Sequence, residues 1–359
     1  MRVGLLYSLG PDCSYRNALE QIVEADRLGF DSALFEEHHG TLGAPEVAPL
    51  AAGAAARTRS IRVGPANRQL TLDFPLNSAE DYALVDIVSR GRLIMGVSAG
   101  ERAEEFAAAG VPWSEREARF REATDLLRTV WSQSNVQFIG EHYTFPLHAE
   151  GARGWRREPF KTPFIDQWRR GQITDAQHLP LLPRPTQLPH PPIWVNAGSR
   201  AVIEWAASRG YHLLVSSIET DDEVREKVNW YDSALAKAGR DRSEVEVALA
   251  RELFIAADGW AARDKAIPSL RARFDALRRE AVEERAGLAA IRGLTDEDLL
   301  AKCALFGSYD EVLERLLRFK GDVGITHLLC RMHLPGRDHL DVIESIRLTS
   351  SMLQTRLVA

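Results

Sequence analysis

Short apolar runs alternate with longer amphipathic ones along most of the chain, the pattern of strands that feed helices onto a parallel sheet. Residues 2–7 read as a first strand. Ala18, Leu19, Ile22, Val23, Ala25 and Leu28 follow at helical spacing and stop at Gly29. Residues 32–35 are a second strand with a helix over 47–57, 61–63 a third with a helix over 76–89, and 92–97 a fourth with a helix over 116–131. The rhythm breaks between 145 and 192, which is rich in Pro, Arg and Trp. A stretch that long without a period reads as an excursion or lid, not a core element. The pattern returns with strands at 192–198, 211–215 and 245–255 and helices at 201–208 and 222–238. A charged helical stretch over 261–291, a helix over 309–319, an eighth strand at 326–332 and a helix over 340–353 complete the chain.

Eight strands alternating with helices predict an α/β fold: a (β/α)8 TIM barrel, one domain over 1–359 with insertions at about 145–192 and 261–302. The rival is an open doubly wound sheet, which wants a glycine-rich turn after its first strand. The stretch YSLGPDCS has one glycine there. No internal repeat is evident.

Composition narrows the function. A 45% hydrophobic and 27% charged chain is ordinary for a globular protein. No apolar run is long enough to span a bilayer, and residues 1–7 are too short for a signal peptide; a cytoplasmic location and no membrane partner are expected. Cys13, Cys303 and Cys330 are too few and scattered for a disulfide framework or a cysteine zinc site. A net charge of −6 argues against nucleic acid. The stretch 151–170 departs from that balance, with five arginines, one lysine and two tryptophans; it reads as a solvated loop whose arginines pair with nearby acids, or as a hold on an anionic ligand or nucleic acid.

A barrel of this class carries its active site where the strands end, and there the chain places polar and glycine residues. Glu36, Glu37, His38 and His39 follow strand two; Ala66, Asn67 and Arg68 follow strand three; Ser98, Ala99, Gly100 and Glu101 follow strand four; Asn196 to Arg200 follow strand five. Gly198, Ser199 and Arg200 open a helix, whose first-turn N–H groups and dipole favour an anion such as a phosphate. Ser199 could equally be a plain N-cap. Gly96 and Gly100 bracket Ser98, where a flat ring could lie against backbone, or where they are simply turn glycines. Neighbours in an extended segment point to opposite sides, so only one of His38 and His39 can face the barrel mouth. That alternation, and the lack of i, i+4 histidines, argue against a metal. An imidazole among carboxylates suits general acid–base work.

The stretches EADRLGFDSALFEEHHG, TRSIRVGPANRQLTLDFPLNSAEDYALVDIVSRGRLIMGVSAG, PPIWVNAGSRAVIEWAASRGYHLLVS and FGSYDEVLERLLRF…GITHLLCR, in that order, resemble the luciferase-like flavin monooxygenases, the family of the bacterial luciferase α subunit. The resemblance implies a TIM barrel that uses reduced FMN and O2 on a small organic substrate through a flavin C4a-peroxide. A separate NAD(P)H:flavin reductase would supply the FMNH2. His38 matches the family's active-site histidine, with Glu37 expected to orient or charge it. Ala66–Asn67 matches a non-proline cis peptide against the flavin ring, Ser98 and Gly100 border that ring, and Gly198, Ser199 and Arg200 match the phosphate end. Two departures stand out. Ala99 replaces an arginine of luciferase, and Gly198 and Val202 replace a glutamate and a threonine. Gly100-Glu101 resembles the F420-dependent members, in which a glutamate assists hydride transfer, so an F420 oxidoreductase is the alternative; a non-catalytic flavin-binding barrel is a third. Trp155 and Trp168 could help cover the substrate. Related barrels pair through the helices of units two and three, which implies a homodimer; the Ala-rich run 48–56 would permit close packing there or simply face inward.

Overall fold

The computed structural model describes residues 1–9, 14–39, 46–134, 136–145, 181–217, 219–256, 258–279 and 293–352. Twelve strands are present among them: β1 (Arg2–Tyr7), β2 (Ser32–Phe35), β3 (Arg62–Pro65), β4 (Arg68–Gln69), β5 (Met95–Ser98), β6 (Phe138–Ile139), β7 (Thr144–Phe145), β8 (Ile193–Asn196), β9 (His212–Val215), β10 (Val247–Ile255), β11 (Ala304–Gly307) and β12 (His327–Arg331). Nine of them run in the order β3-β2-β1-β12-β10-β9-β8-β5-β4, every neighbour parallel. Since β3 and β4 are two pieces of one segment interrupted at Ala66 and Asn67, these nine strands occupy eight positions of a nearly closed (β/α)8 barrel, as expected. Between the two pieces the seam is held by a bridge from Val63 to Leu93.

Side-chain alternation sorts each strand into two cores. Leu6, Leu34, Ile94, Trp194, Leu214, Ala250 and Leu329 fill the barrel. Their neighbours Leu5, Phe35, Val195, Leu213 and Leu328 pack outward under the helices. Both faces of the barrel strands are largely buried, so these strands read as apolar runs. The alanine-rich helix Val47–Arg57 turns Ala48, Ala51, Ala54 and Ala55 inward, the second of the two roles considered for it.

Two differences from the sequence reading have physical causes. Residues 92–94 were expected in the fourth strand, which begins instead at Met95; their backbone makes only an isolated bridge to Val63, while the Arg92 side chain bonds the carbonyls of Ala55, Ile61 and Ser89. A strand was missed inside the FGS region: β11 pairs with the distal half of β10, over a satellite core of Phe254, Phe274, Leu299 and Phe306. The 261–302 insertion therefore supplies a helix, Gly259–Arg279, and a second, Asp296–Lys302, to cover that extra strand. The bulk of the 145–192 insertion lies outside the described residues, with Trp155, Trp168 and the basic stretch 151–170, as does Cys13. Among the described residues no helix is long and apolar enough to cross a membrane.

Gly96 lets β5 approach the break between β3 and β4: a Cβ there would meet the Pro65 and Ala66 carbonyl oxygens at 2.4 and 2.5 Å. Both obstacles are backbone, so neither can swing away. Gly96→Ala is expected to destabilise the fold by about 1–3 kcal/mol or more, read as a lower denaturant midpoint. An unchanged midpoint would mean that the seam is not packed this closely.

Candidate active site at the barrel mouth

The chain leaves β2 still extended, so the alternation that places Leu34 inside the barrel continues through the next four residues. Glu36 and His38 follow Leu34 to the mouth, and Glu37 and His39 turn outward. The outward pair is locked in place. Glu37 is fully buried, and its Oε1 accepts from His39 Nε2 and from Arg68 Nη1, each at 2.9 Å. Arg68, itself 2% exposed, also bonds Glu46, Asp73 and Ser78. Burial pushes the Glu37 carboxyl up, but the His39 bond and the Arg68 guanidinium outweigh it and leave Glu37 below the ordinary range. The Glu37 bond raises His39. Glu37 therefore orients His39 rather than His38, because residues two apart share a side.

His38 has different company. Its Nδ1 makes no hydrogen bond and lies 4.0 Å from Glu105 Oε1. Glu105 is anchored by the His39 N–H and by Gln69 Nε2. Burial lowers the pKa of His38 and Arg102 adds to that, against the opposing pull of Glu36, Glu105 and Glu101. The imidazole is accordingly neutral near pH 7. Glu36 is bonded by Arg331 at 2.5 Å, which holds it anionic despite its burial. Arg331 also reaches Glu252, as do Arg273 and Ser217. Sequence reasoning missed this charged wall and Glu105. Its signal was legible, since Glu252 and Arg331 are charged residues at inward positions of largely apolar strands.

The loops after β5, β8 and β9 border an open cleft of about 740 Å3 of empty space, lined by residues 98–101, Trp113, Arg116, Glu117, 196–199, Val202, Ser216 and Glu219. His38 and Glu37 are not among the lining residues, and Glu101 is the lining residue whose charge bears on His38. Ser98, Gly100, Glu101, Gly198 and Ser199 thus come together as expected. Ser199 caps the helix Arg200–Arg209 by accepting from the Val202 N–H, and at Gly198 an added Cβ would meet nothing within 4 Å.

Two expected placements are corrected. The Ala66–Asn67 bond is not cis: among the described residues the cis bonds are Leu182–Pro183 and Leu188–Pro189. Ala66 is held by its N–H to Phe35 O, and Asn67 by Glu37 N–H to its Oδ1 and Ser98 Oγ to its carbonyl. Neither residue lines the cleft, although Asn67 fixes the exit of β2. Arg200 is also absent from the lining. As the first residue of its helix it points outward, pairing with Glu204 one turn on and lying over Trp230. Arg116, stacked on Trp113 at 4.0 Å, is the cation that lines the cleft. Among the described residues no cluster of three or more ligating side chains could hold a metal.

The model of the luciferase-like monooxygenase family matches residues 2–327. The chain belongs to the luciferase-like monooxygenase family. That membership makes it an oxidoreductase. Similar proteins include an F420-dependent glucose-6-phosphate dehydrogenase from Intrasporangium calvum, 24% identical over 90% of each chain. The oxygenase component of a flavin-dependent trigonelline monooxygenase from Acinetobacter baylyi is 26% identical over 67% of this chain and 59% of its own. The match to an uncharacterized protein from Sinorhizobium fredii, 26% identical, takes in 55% of this chain and only 49% of that protein's length. A solved monooxygenase from Streptomyces bottropensis superposes with a TM-score of 0.78 at 25% identity over 99% of both chains.

The two histidines should titrate on opposite sides of the usual imidazole value of about 6.5, His39 above and His38 below, as read by NMR of the histidine ring protons. Glu37→Gln should bring His39 down and leave His38 in place. Movement of His38 in that variant would restore to Glu37 the role first expected of it.

Proposed function

We propose that this enzyme is a monooxygenase that uses reduced FMN and O2 on a small organic substrate, with His38 as its acid–base residue and a separate NAD(P)H:flavin reductase supplying the FMNH2. The observation that carries this reading is the neutral, inward His38, its Nδ1 unbonded, within electrostatic reach of Glu101 in a cleft edged with small residues. Those residues fit a flavin. Ser98, Ala99 and Gly100 offer a ring little side chain to clash with, and Gly198 leaves room for a close approach to the helix N-terminus. Ser199, Gly198 and Arg116 would hold the cofactor's phosphate end. When bound, reduced flavin supplies the electrons that activate O2. The chain's own part is to position the ring, shed water from the mouth and move a proton at His38 Nδ1. Glu105, 4.0 Å away, and the anionic Glu36 stabilise the imidazolium once that proton is taken. The flavin dependence of the Acinetobacter baylyi relative, an oxygenase component, supports both cofactor and reductase.

A second reading is hydride transfer with F420, favoured by Glu101 in the cleft lining and by the relative from Intrasporangium calvum. Glu37 stays in the proposal as a positioning residue through His39 and Arg68. We further propose a cytoplasmic homodimer. Leu84 and Val88, one turn apart on the helix Pro75–Ser89, are 50% and 48% exposed, with Ile87 beside them, an apolar face of the kind that marks an interface.

His38→Ala should bind reduced FMN within about threefold of wild type yet lose about 10²–10⁴-fold in oxygenated product. Wild-type turnover in that variant would remove the catalytic role. Gly198→Ala should leave the melting temperature unchanged and weaken FMN, because only a ligand would occupy the space its Cβ enters; unchanged affinity would put the cofactor elsewhere. Leu84→Glu with Val88→Glu should halve the mass seen by light scattering, and an unchanged mass would contradict that interface.

A further inference from the structure

The floor of the cleft carries an ion pair that the proposed chemistry does not use. Glu219, 3% exposed, lines the cleft, and its Oε1 accepts from Lys227 Nζ at 2.5 Å. Lys227, 5% exposed, comes from the helix Asp221–Lys237; its Nζ also lies 3.5 Å from the Ala197 carbonyl, and it is not part of the lining. Of the pair, Glu219 is the member that borders the cleft, and the cation lies behind it. Glu219 Oε2 is buried and makes no hydrogen bond. The charged groups around it are few. Glu223 shares the helix of Lys227, Glu101 follows β5, and Arg116 and Glu117 come from the helix Arg116–Ser132. Three carboxylates thus line the cleft against one guanidinium.

A buried acceptor without a partner is costly, and two kinds of ligand relieve it. A hydroxyl donates to it directly. A phosphate cannot, and its charge is repelled unless the carboxylate first takes a proton and becomes the donor. Burial, reinforced by Glu223 and Glu101, already holds the Glu219 carboxyl above its ordinary range in spite of Lys227. The expected arginine does not compensate, since Arg200 is bound to Glu204 outside the cleft.

We infer that Glu219 selects the end-group of the ligand's polyol chain: ionised, it accepts a hydroxyl and repels a phosphate, and a phosphate-bearing flavin binds together with a proton at its Oε2. The inference rests on the flavin reading above. It makes affinity for the phosphorylated cofactor fall as pH rises, with affinity for the unphosphorylated form nearly constant.

The test is equilibrium binding of oxidised FMN and riboflavin, by fluorescence quenching, to wild type and Glu219→Gln at pH 8, where a phosphate monoester with its second pKa of about 6 is fully charged. Gln still accepts from Lys227, so the fold keeps its contact. FMN affinity should rise by about tenfold or more in the variant, the size of one removed like-charge contact, and riboflavin affinity should stay level or fall. A gain no larger for FMN than for riboflavin overturns the inference. Calorimetry of the wild type in two buffers of different ionisation enthalpy supplies a second readout that needs no variant. Uptake approaching one proton with FMN and none with riboflavin supports it; equal uptake with both contradicts it. Should neither flavin bind to either protein, the flavin reading itself falls and takes this inference with it.

Discussion

The mouth of this barrel depends on one buried guanidinium. Arg68 sits at the break between β3 and β4 and gathers Glu37, Glu46 and Asp73 around it. Removing one partner of such a buried pair costs about 3–5 kcal/mol, tempered here because Arg68 has three. What the pair secures is a register. With Glu37 held on the outside and His39 bonded to it, strand alternation leaves His38 no direction but inward. A one-residue slip would exchange the two histidines, placing a protonation-prone imidazole at the mouth and burying the neutral one under the helices.

Two electrostatic styles meet at that mouth. On the wall formed by β2, β10 and β12, acids and bases neutralise one another: Arg331 joins Glu36 to Glu252, and Arg273 completes the chain. Side chains in such a network are fixed, and they present a rigid surface to a substrate. Across the mouth the cleft is unevenly charged, and the lysine behind its lining, Lys227, is spent on Glu219. His38 stands between the two, neutral because burial prevails over its acidic neighbours.

Much of this could be read from the sequence, for a physical reason: parallel strands buried on both faces and separated by amphipathic helices write themselves as a rhythm. The strands at 2–7 and 32–35 and the helix at 47–57 fall where that rhythm put them. It failed where contacts from far along the chain decide. Residues 92–94 pair with Val63 of β3 through a single bridge instead of extending β5, and the short run at 304–307 becomes a strand only because β10 is long enough to pair with it. In the site, the glycine and serine turns were legible because backbone approach needs small residues. The partners of Glu37 and the direction of Arg200 were not. Both depend on which side of a strand or helix a long side chain takes, and spacing alone said that for His38 against His39 but not for Arg68, Arg116 or Glu204. Glu219 and Lys227 lie eight residues apart with nothing in their spacing to mark them as a pair.

What decides the function of this chain is whether the cleft after β5, β8 and β9 holds reduced FMN for oxygen chemistry. The most direct test is an anaerobic titration of the purified protein with FMNH2 and, separately, with oxidised and reduced F420, followed by admission of air. An FMN-dependent monooxygenase should saturate with FMNH2 at one per chain, bind either F420 form far more weakly, and consume O2 through the bound flavin. Tight binding of F420 with no reaction toward O2 would contradict that reading, and would make hydride transfer at Glu101 the chemistry of this site.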